Sequence, residues 1–161
     1  MMFKKFILGG MFMLRKNERV ITHPVLGKIE MDEKFSKVLD LQPFRDLAFK
    51  SQLGVRWLSR LQSGNHTRLM HSLGVYQITT ELLKKCDEKF NKYFSIAKED
   101  REAIQLAALA HDIGHYAFSH TLENKEEETH EERTINLLKE YASIINEIMK
   151  KNKTPILVGG T

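Results

Sequence analysis

The sequence predicts an all-α helical fold that is preceded by a short N-terminal β-hairpin or extended arm. From Asp32 onward, apolar residues recur at steps of three and four, which is the spacing of helices that bury one face. Between residues 19 and 31, β-branched residues flank Pro24 and Gly27, a pattern typical of two short strands joined by a turn. The change from one pattern to the other marks the boundary between the arm and the helices.

Pro43 interrupts the helical spacing that begins at Asp32, so two short helices are predicted there. A loop is predicted around residues 63–65, and the next helix covers about 67–85. The apolar face predicted for this helix contains His71, Gly74, Val75, Ile78 and Leu82.

Two further helices are predicted in the second half of the chain. The first covers about 99–113 and is followed by Gly114, since glycine commonly stands just past a helix C-terminus. The second covers about 130–150 and begins with a capping box formed by Thr129 and Glu132. The face predicted for the first of them contains Ile104, Ala107, Ala108 and His111.

Composition is consistent with one ordinary globular domain. The chain has 161 residues, of which 42% are hydrophobic and 29% are charged. The net charge of +4 is compatible with a phosphorylated ligand but is too small to indicate nucleic acid by itself. The single cysteine, Cys86, excludes an intrachain disulfide and favours a reducing compartment, so we expect a cytoplasmic protein.

The N-terminal residues have some features of a signal peptide and lack others. Two lysines precede an apolar run at residues 6–14, but this run is shorter than the roughly 20 residues that span a bilayer. No small-residue cleavage site follows, and Met11 and Met13 are later candidate start positions. We therefore treat residues 1–18 as an apolar and basic extension, residues 19–161 as the domain, and expect no membrane association.

Six of the seven histidines lie between residues 66 and 130, where three residues form a candidate metal site. His111 and Asp112 can meet at one ion beside a helix end, and His71 on the preceding helix can supply a third ligand. Imidazole and carboxylate suit Fe, Mn, Zn or Co better than Ca, with Mg as an additional candidate. The alternative is a buried hydrogen-bonded pair of His111 and Asp112, with His71 as a core histidine.

Other polar side chains surround these three residues in the sequence. His115 follows one turn later, His120 lies in the next loop, and His130 begins a helix whose N-terminus favours anions. A histidine beside a bound phosphate can donate a proton to a leaving alkoxide. Arg68 can bind phosphate oxygens through its planar guanidinium. Taken singly, each could instead be a surface, capping or salt-bridge residue.

These motifs resemble those of the HD-domain metal-dependent phosphohydrolases, and especially the deoxynucleoside triphosphate triphosphohydrolase branch. Residues 65–75 are similar to the "HxRxxHSLGV" stretch of that branch, and residues 111–120 to its "HDxGHxxFSH" stretch. Residues 21–30 and 44–54 are similar to its "DPIHGxIE" and "FQRLR…QLG" stretches. The resemblance runs from about residue 20 to residue 152, nearly the whole chain, and implies an HD-domain helical bundle.

The resemblance also implies a role for each matching residue. The implied metal ligands are His71, His111 and Asp112. The implied catalytic residues are His115 and His120, along the triphosphate, and His130, the candidate general acid. The implied substrate contacts are Arg68 at a phosphate and Gln52 and Leu53 at the sugar and base. The implied activity converts a (deoxy)nucleoside triphosphate into nucleoside and triphosphate, in a complete protein that is a homo-oligomer. Glu123 stands where that branch often carries Asp.

One departure concerns the last metal ligand. The family completes its metal site with a second Asp far down the chain, whereas no aspartate follows Asp112 here. We therefore expect a domain that is incomplete at its C-terminus, with Ile145, Ile148 and Met149 more exposed than is usual for their type. The alternative function is a non-catalytic or degenerate HD module that binds a nucleotide or a protein partner.

Overall fold

The computed structural model describes residues 18–53, 66–117 and 128–149, in which six α-helices follow a two-stranded hairpin. The helices are α1 (Glu33–Leu39), α2 (Gln42–Asp46), α3 (Arg68–Phe90), α4 (Lys98–Ala110), α5 (His130–Glu140) and α6 (Ala142–Met149), with a 3-10 turn at Leu47–Phe49. The predicted fold class is confirmed. Among the described residues, no helix is both long and apolar enough to cross a membrane. Residues 1–17 of the N-terminal extension, the loop at residues 63–65, His120 and Glu123 lie outside the described residues.

The predicted N-terminal arm is an antiparallel hairpin of β1 (Glu18–His23) and β2 (Gly27–Asp32). Gly27 has a φ of 75°, a left-handed conformation that glycine adopts without strain and that closes the turn. Along β2 the side chains alternate, so Ile29 and Met31 are fully buried in the core while their neighbours are exposed. The hairpin therefore covers one end of the helical core.

His23 attaches the hairpin turn to α3. Its Nδ1 accepts hydrogen bonds from the main-chain N–H groups of Val25 (3.2 Å) and Leu26 (3.1 Å), so its Nε2 carries the proton. That Nε2 donates to the carbonyl of Met70 at 3.1 Å. Gly74 leaves room for the ring, because a Cβ there would lie 3.3 Å from His23 Nε2. The glycine thus admits the hairpin turn.

Helices α3 and α4 pack against each other. Of the residues on the two predicted faces, Gly74 is buried, whereas most of the others are not. The predicted faces included Ile78, Leu82 and Ile104, which are 50%, 57% and 43% exposed. Both predictions were aligned on His71 and His111, which lie at the edge of the core rather than within it. The residues buried on the two helices are Arg68, Ser72, Leu73, Gly74, Tyr76, Leu83, Glu102, Leu106, Leu109 and Ala110.

Helix α4 ends at Ala110, three residues earlier than predicted, and Gly114 has a role other than helix termination. A Cβ at Gly114 would overlap the main-chain oxygen of His130 and would lie 2.5 Å from the Thr134 nitrogen. The Gly114 N–H donates to Thr134 Oγ1 at 3.0 Å. Glycine is therefore needed here because the first turn of α5 packs directly on this backbone.

The helix predicted over 130–150 is two helices, which are separated at Tyr141. The capping box of Thr129 and Glu132 is confirmed at the start of α5. Helix α6 packs on α1. The predicted exposure of its apolar residues is wrong, since Ile145 is 0% and Met149 is 5% exposed, and Ile148 is half-buried against the same core.

The contact between Gly114 and α5 predicts a specific stability difference. Gly114→Ala should lower the free energy of unfolding by about 1–3 kcal/mol, because the added methyl meets rigid backbone. Gly74→Ala should change it much less, since the neighbouring atom belongs to a side chain and alanine is the better helix former. Urea denaturation of both variants measures the difference. Equal losses would contradict the assigned role of Gly114.

Candidate metal centre

A buried carboxylate, that of Asp112, lies at the centre of the candidate site. Its Oδ2 accepts a hydrogen bond from Arg68 Nη1 at 2.8 Å, and the two side chains are 8% and 3% exposed. Its Oδ1 lies 3.4 Å from His111 Nε2 and 3.9 Å from His115 Nε2. The carboxylate thus faces an arginine from α3 with one oxygen and two histidines of its own segment with the other.

The three predicted metal ligands converge on one point. One ligand atom from each of His71, His111 and Asp112 lies within 4.8 Å of the others, and the two imidazole rings are 5.1 Å apart. The histidine side chains are 37% and 35% exposed, so the group opens to solvent on one side. Two imidazoles and a carboxylate at these separations fit a divalent transition metal.

Hydrogen bonding and charge prepare these side chains to bind a cation. His111 Nδ1 lies 3.0 Å from the Ala108 carbonyl, to which it donates, so the Nε2 lone pair is left for a metal. Burial lowers the pKa of His71, which favours the neutral, ligating form. Burial by itself would raise the pKa of the Asp112 carboxyl, but attraction to His111 and Arg68 outweighs it and lowers that pKa. The carboxylate is therefore ionised at neutral pH.

His115 and His130 extend the site from Asp112 toward α5. Their rings meet edge to face with centroids 3.9 Å apart, and His115 is 2% exposed. His130 Nε2 also lies 3.0 Å from Glu131 Oε1. A row of polar groups thus runs from Asp112 through His115 to His130, which defines the position of His130 relative to the metal candidates.

The two residues predicted to contact the sugar and base, Gln52 and Leu53, lie near the start of α3, which begins with Arg68. Ser51 and Thr67 form an antiparallel bridge, and the Gln52 N–H donates to the His66 carbonyl at 3.2 Å. This bridge places Gln52 and the partly exposed Leu53 near the start of α3. Arg68 has an unpredicted role as the buried partner of Asp112. His120 lies outside the described residues, so its placement stays a prediction.

Two cations near the site were not predicted. Lys50 Nζ donates to the Ile113 carbonyl at 3.3 Å, and burial, together with the nearby Arg133, lowers the pKa of this lysine. The Arg133 guanidinium lies 4.0 Å from the centroid of the Tyr116 ring. Arg133 could have been noticed in the sequence because it follows His130 by one helical turn. Lys50 carries no such local signal.

Comparisons with known proteins agree with this geometry. The HD domain family model matches residues 68–155. The chain is 32% identical over 107 residues to deoxynucleoside triphosphate triphosphohydrolase SAMHD1 of Bos taurus, covering 66% of this chain and 18% of that protein. It is 39% identical over 105 residues to an uncharacterised protein of Methanocaldococcus jannaschii, covering 65% and 21% of the two chains.

A solved structure supports the same assignment. The crystal structure of a phosphohydrolase from Bacteroides thetaiotaomicron superposes with a TM-score of 0.74 at 28% identity, covering 83% of this chain and 33% of that one. The chain spans about a fifth of the length of these curated relatives. With the family model matching more than half of its residues, the chain belongs to the HD domain family.

Proposed function

We propose that this protein is a metal-dependent phosphohydrolase that acts on nucleotides, and that its substrate is a (deoxy)nucleoside triphosphate, cleaved to nucleoside and triphosphate. The observation that carries the proposal is the convergence of His71, His111 and Asp112 within 4.8 Å, beside a buried arginine and two further histidines. Phosphohydrolase relatives and the HD domain family support the reaction class. The similarity to deoxynucleoside triphosphate triphosphohydrolase SAMHD1 supports the substrate.

In this proposal the three converging residues hold a divalent ion, for which Fe, Mn, Zn and Co are the candidates and Mg is an additional one. Such an ion would act as a Lewis acid, which would polarise a phosphoryl oxygen and lower the pKa of a bound water. Asp112 contributes the negative charge, and Arg68 keeps that carboxylate ionised and oriented. His71 and His111 contribute neutral nitrogens from the open side.

His130 is proposed as the general acid that protonates the leaving 5′-oxygen. Its ring contacts His115, which in turn approaches Asp112, so His115 is the one residue between His130 and this proposed ligand. Its side chain is 20% exposed, which allows it to exchange a proton with solvent. His115 positions this ring. His115 and His120 are both proposed to lie along the triphosphate.

Further features of the complete protein belong to the same proposal. No aspartate follows Asp112, so the family's last metal ligand has no counterpart in this chain. We propose residues 19–161 as the HD domain, residues 1–18 as an extension, and a cytoplasmic homo-oligomer as the working protein. Gln52 and Leu53 are proposed to contact the sugar and base.

A product analysis tests the proposal. The chain is loaded with Mn²⁺ and mixed with each of the four deoxynucleoside triphosphates, and the products are separated by anion exchange. We expect nucleoside and triphosphate in equal amounts. Release of orthophosphate or pyrophosphate would contradict the proposed bond cleavage. Metal-dependent nucleotide binding without hydrolysis would instead support the non-catalytic alternative.

Removal of His71 should separate metal binding from folding. His71→Ala should weaken Mn²⁺ binding by at least about tenfold while leaving thermal stability nearly unchanged, because the side chain is a proposed ligand and is 37% exposed. His66→Ala is the matched control, since this histidine is exposed and precedes α3. Calorimetric titration measures both affinities, and equal affinities in the two variants would remove His71 from the metal site.

Removal of His130 should affect turnover more than substrate binding. His130→Ala should reduce kcat by about 10²–10⁴-fold with little change in KM, because a general acid acts in the transition state. The measurement is steady-state hydrolysis under the conditions of the product analysis, with His66→Ala again as the control. An unchanged kcat would exclude His130 as the general acid.

A further inference from the structure

Lys50 and Arg133 are two cations close to the candidate metal centre. Neither forms an ion pair with a carboxylate among residues 18–53, 66–117 and 128–149. Both side chains are partly buried. Burial and repulsion from Arg133 lower the pKa of Lys50, and attraction to Asp46 and Asp112 offsets only part of this effect. Partly buried like charges destabilise each other unless an anion lies between them. The pair therefore has the electrostatics of an anion site.

The two side chains flank the segment that carries the candidate metal ligands. Lys50 donates to the carbonyl of Ile113, the residue directly after Asp112. Arg133 stacks on the ring of Tyr116, the residue directly after His115, and lies one turn from His130 on α5. An anion held by both cations would consequently lie next to the proposed reaction centre.

Accessibility favours these cations over Arg68 as contacts for a bound phosphate chain. Arg68 is 3% exposed and already donates to Asp112. Arg133 Cζ lies 4.0 Å from the centroid of the Tyr116 ring, and the N–H groups of this guanidinium have no acceptor among the described residues. Those groups can donate to two phosphate oxygens at once.

We propose that Lys50 and Arg133 form an anion subsite that holds the phosphoryl groups of the substrate away from the scissile bond. The subsite would select nucleotides with several phosphates over monophosphates. This inference rests on the proposed phosphohydrolase function, because it takes the metal candidates as the point of cleavage. Tyr116 is a positioning residue that fixes the guanidinium plane.

Binding of inorganic triphosphate tests the subsite without catalysis. Titration calorimetry is done in buffer with EDTA, since triphosphate would otherwise chelate divalent ions. Triphosphate should bind the unmodified chain more tightly than orthophosphate, and the double variant Lys50→Gln/Arg133→Gln should lose at least tenfold in affinity. Lys139→Gln, an exposed cation on the same helix, is the matched control and should bind normally. Equal affinity in the double variant and the control would overturn the proposal.

A charge-preserving variant separates electrostatics from packing. Arg133→Lys keeps the charge but lacks the planar pair of N–H donors, so its triphosphate affinity should lie between that of the unmodified chain and that of Arg133→Gln. A loss as large as that of Arg133→Gln would contradict the electrostatic role of Arg133. Thermal melts with and without triphosphate accompany each titration. The anion should raise the Tm of the unmodified chain and not that of the double variant. If the double variant does not fold, the single Lys50→Gln variant decides, with a measurable loss of affinity expected.

Kinetics distinguish a failure of the subsite from a failure of the proposed function. If the unmodified chain hydrolyses no nucleotide yet binds triphosphate through these cations, the function fails and the subsite stands. If it hydrolyses nucleotides and the double variant keeps the same preference for triphosphates over monophosphates, the function stands and the subsite fails. We expect the double variant to raise KM for triphosphates and to leave monophosphates nearly unaffected.

Discussion

The ion pair between Arg68 and Asp112 is the interaction on which the site depends. It joins the first turn of α3 to the segment after α4, and both side chains are almost completely buried. Removing one member of such a pair costs about 3–5 kcal/mol, because the other charge is left without a partner in a poorly solvated place. The same pairing keeps Asp112 ionised, with Oδ1 turned toward the histidines. Stability and the proposed metal binding therefore use one carboxylate.

Contacts with the surrounding backbone hold the proposed metal-binding side chains in place before an ion or a substrate binds. His23 ties the hairpin turn to the Met70 carbonyl, one residue before His71. Thr134 accepts from the Gly114 N–H and lies 3.4 Å from the His111 carbonyl, so α5 steadies the segment that carries Asp112. Groups fixed in this way need little rearrangement when a substrate or an ion arrives. The site is thus supported by the hairpin, which precedes it in the sequence, and by α5, which follows it.

Local signals in the sequence were sufficient to predict part of the fold and part of the candidate site. The hairpin and the capping box follow from short-range rules, and the closeness of His71, His111 and Asp112 follows from motifs that resemble a known family. The buried faces of α3 and α4, the break at Tyr141 and the burial of Ile145 depend on tertiary packing, which periodicity alone does not reveal. The cation pair was missed for the same reason, since its members are far apart in sequence. The roles of His120 and Glu123 stay predictions.

The central claim is that His71, His111 and Asp112 share one metal ion, and anomalous diffraction tests it most directly. Crystals of the chain would be soaked in Mn²⁺ and measured at a wavelength where manganese scatters anomalously. We expect one dominant peak at about 2.0–2.2 Å from a nitrogen of each histidine and from an oxygen of the aspartate. A dominant peak elsewhere in the molecule, with these three side chains left without metal, would contradict it.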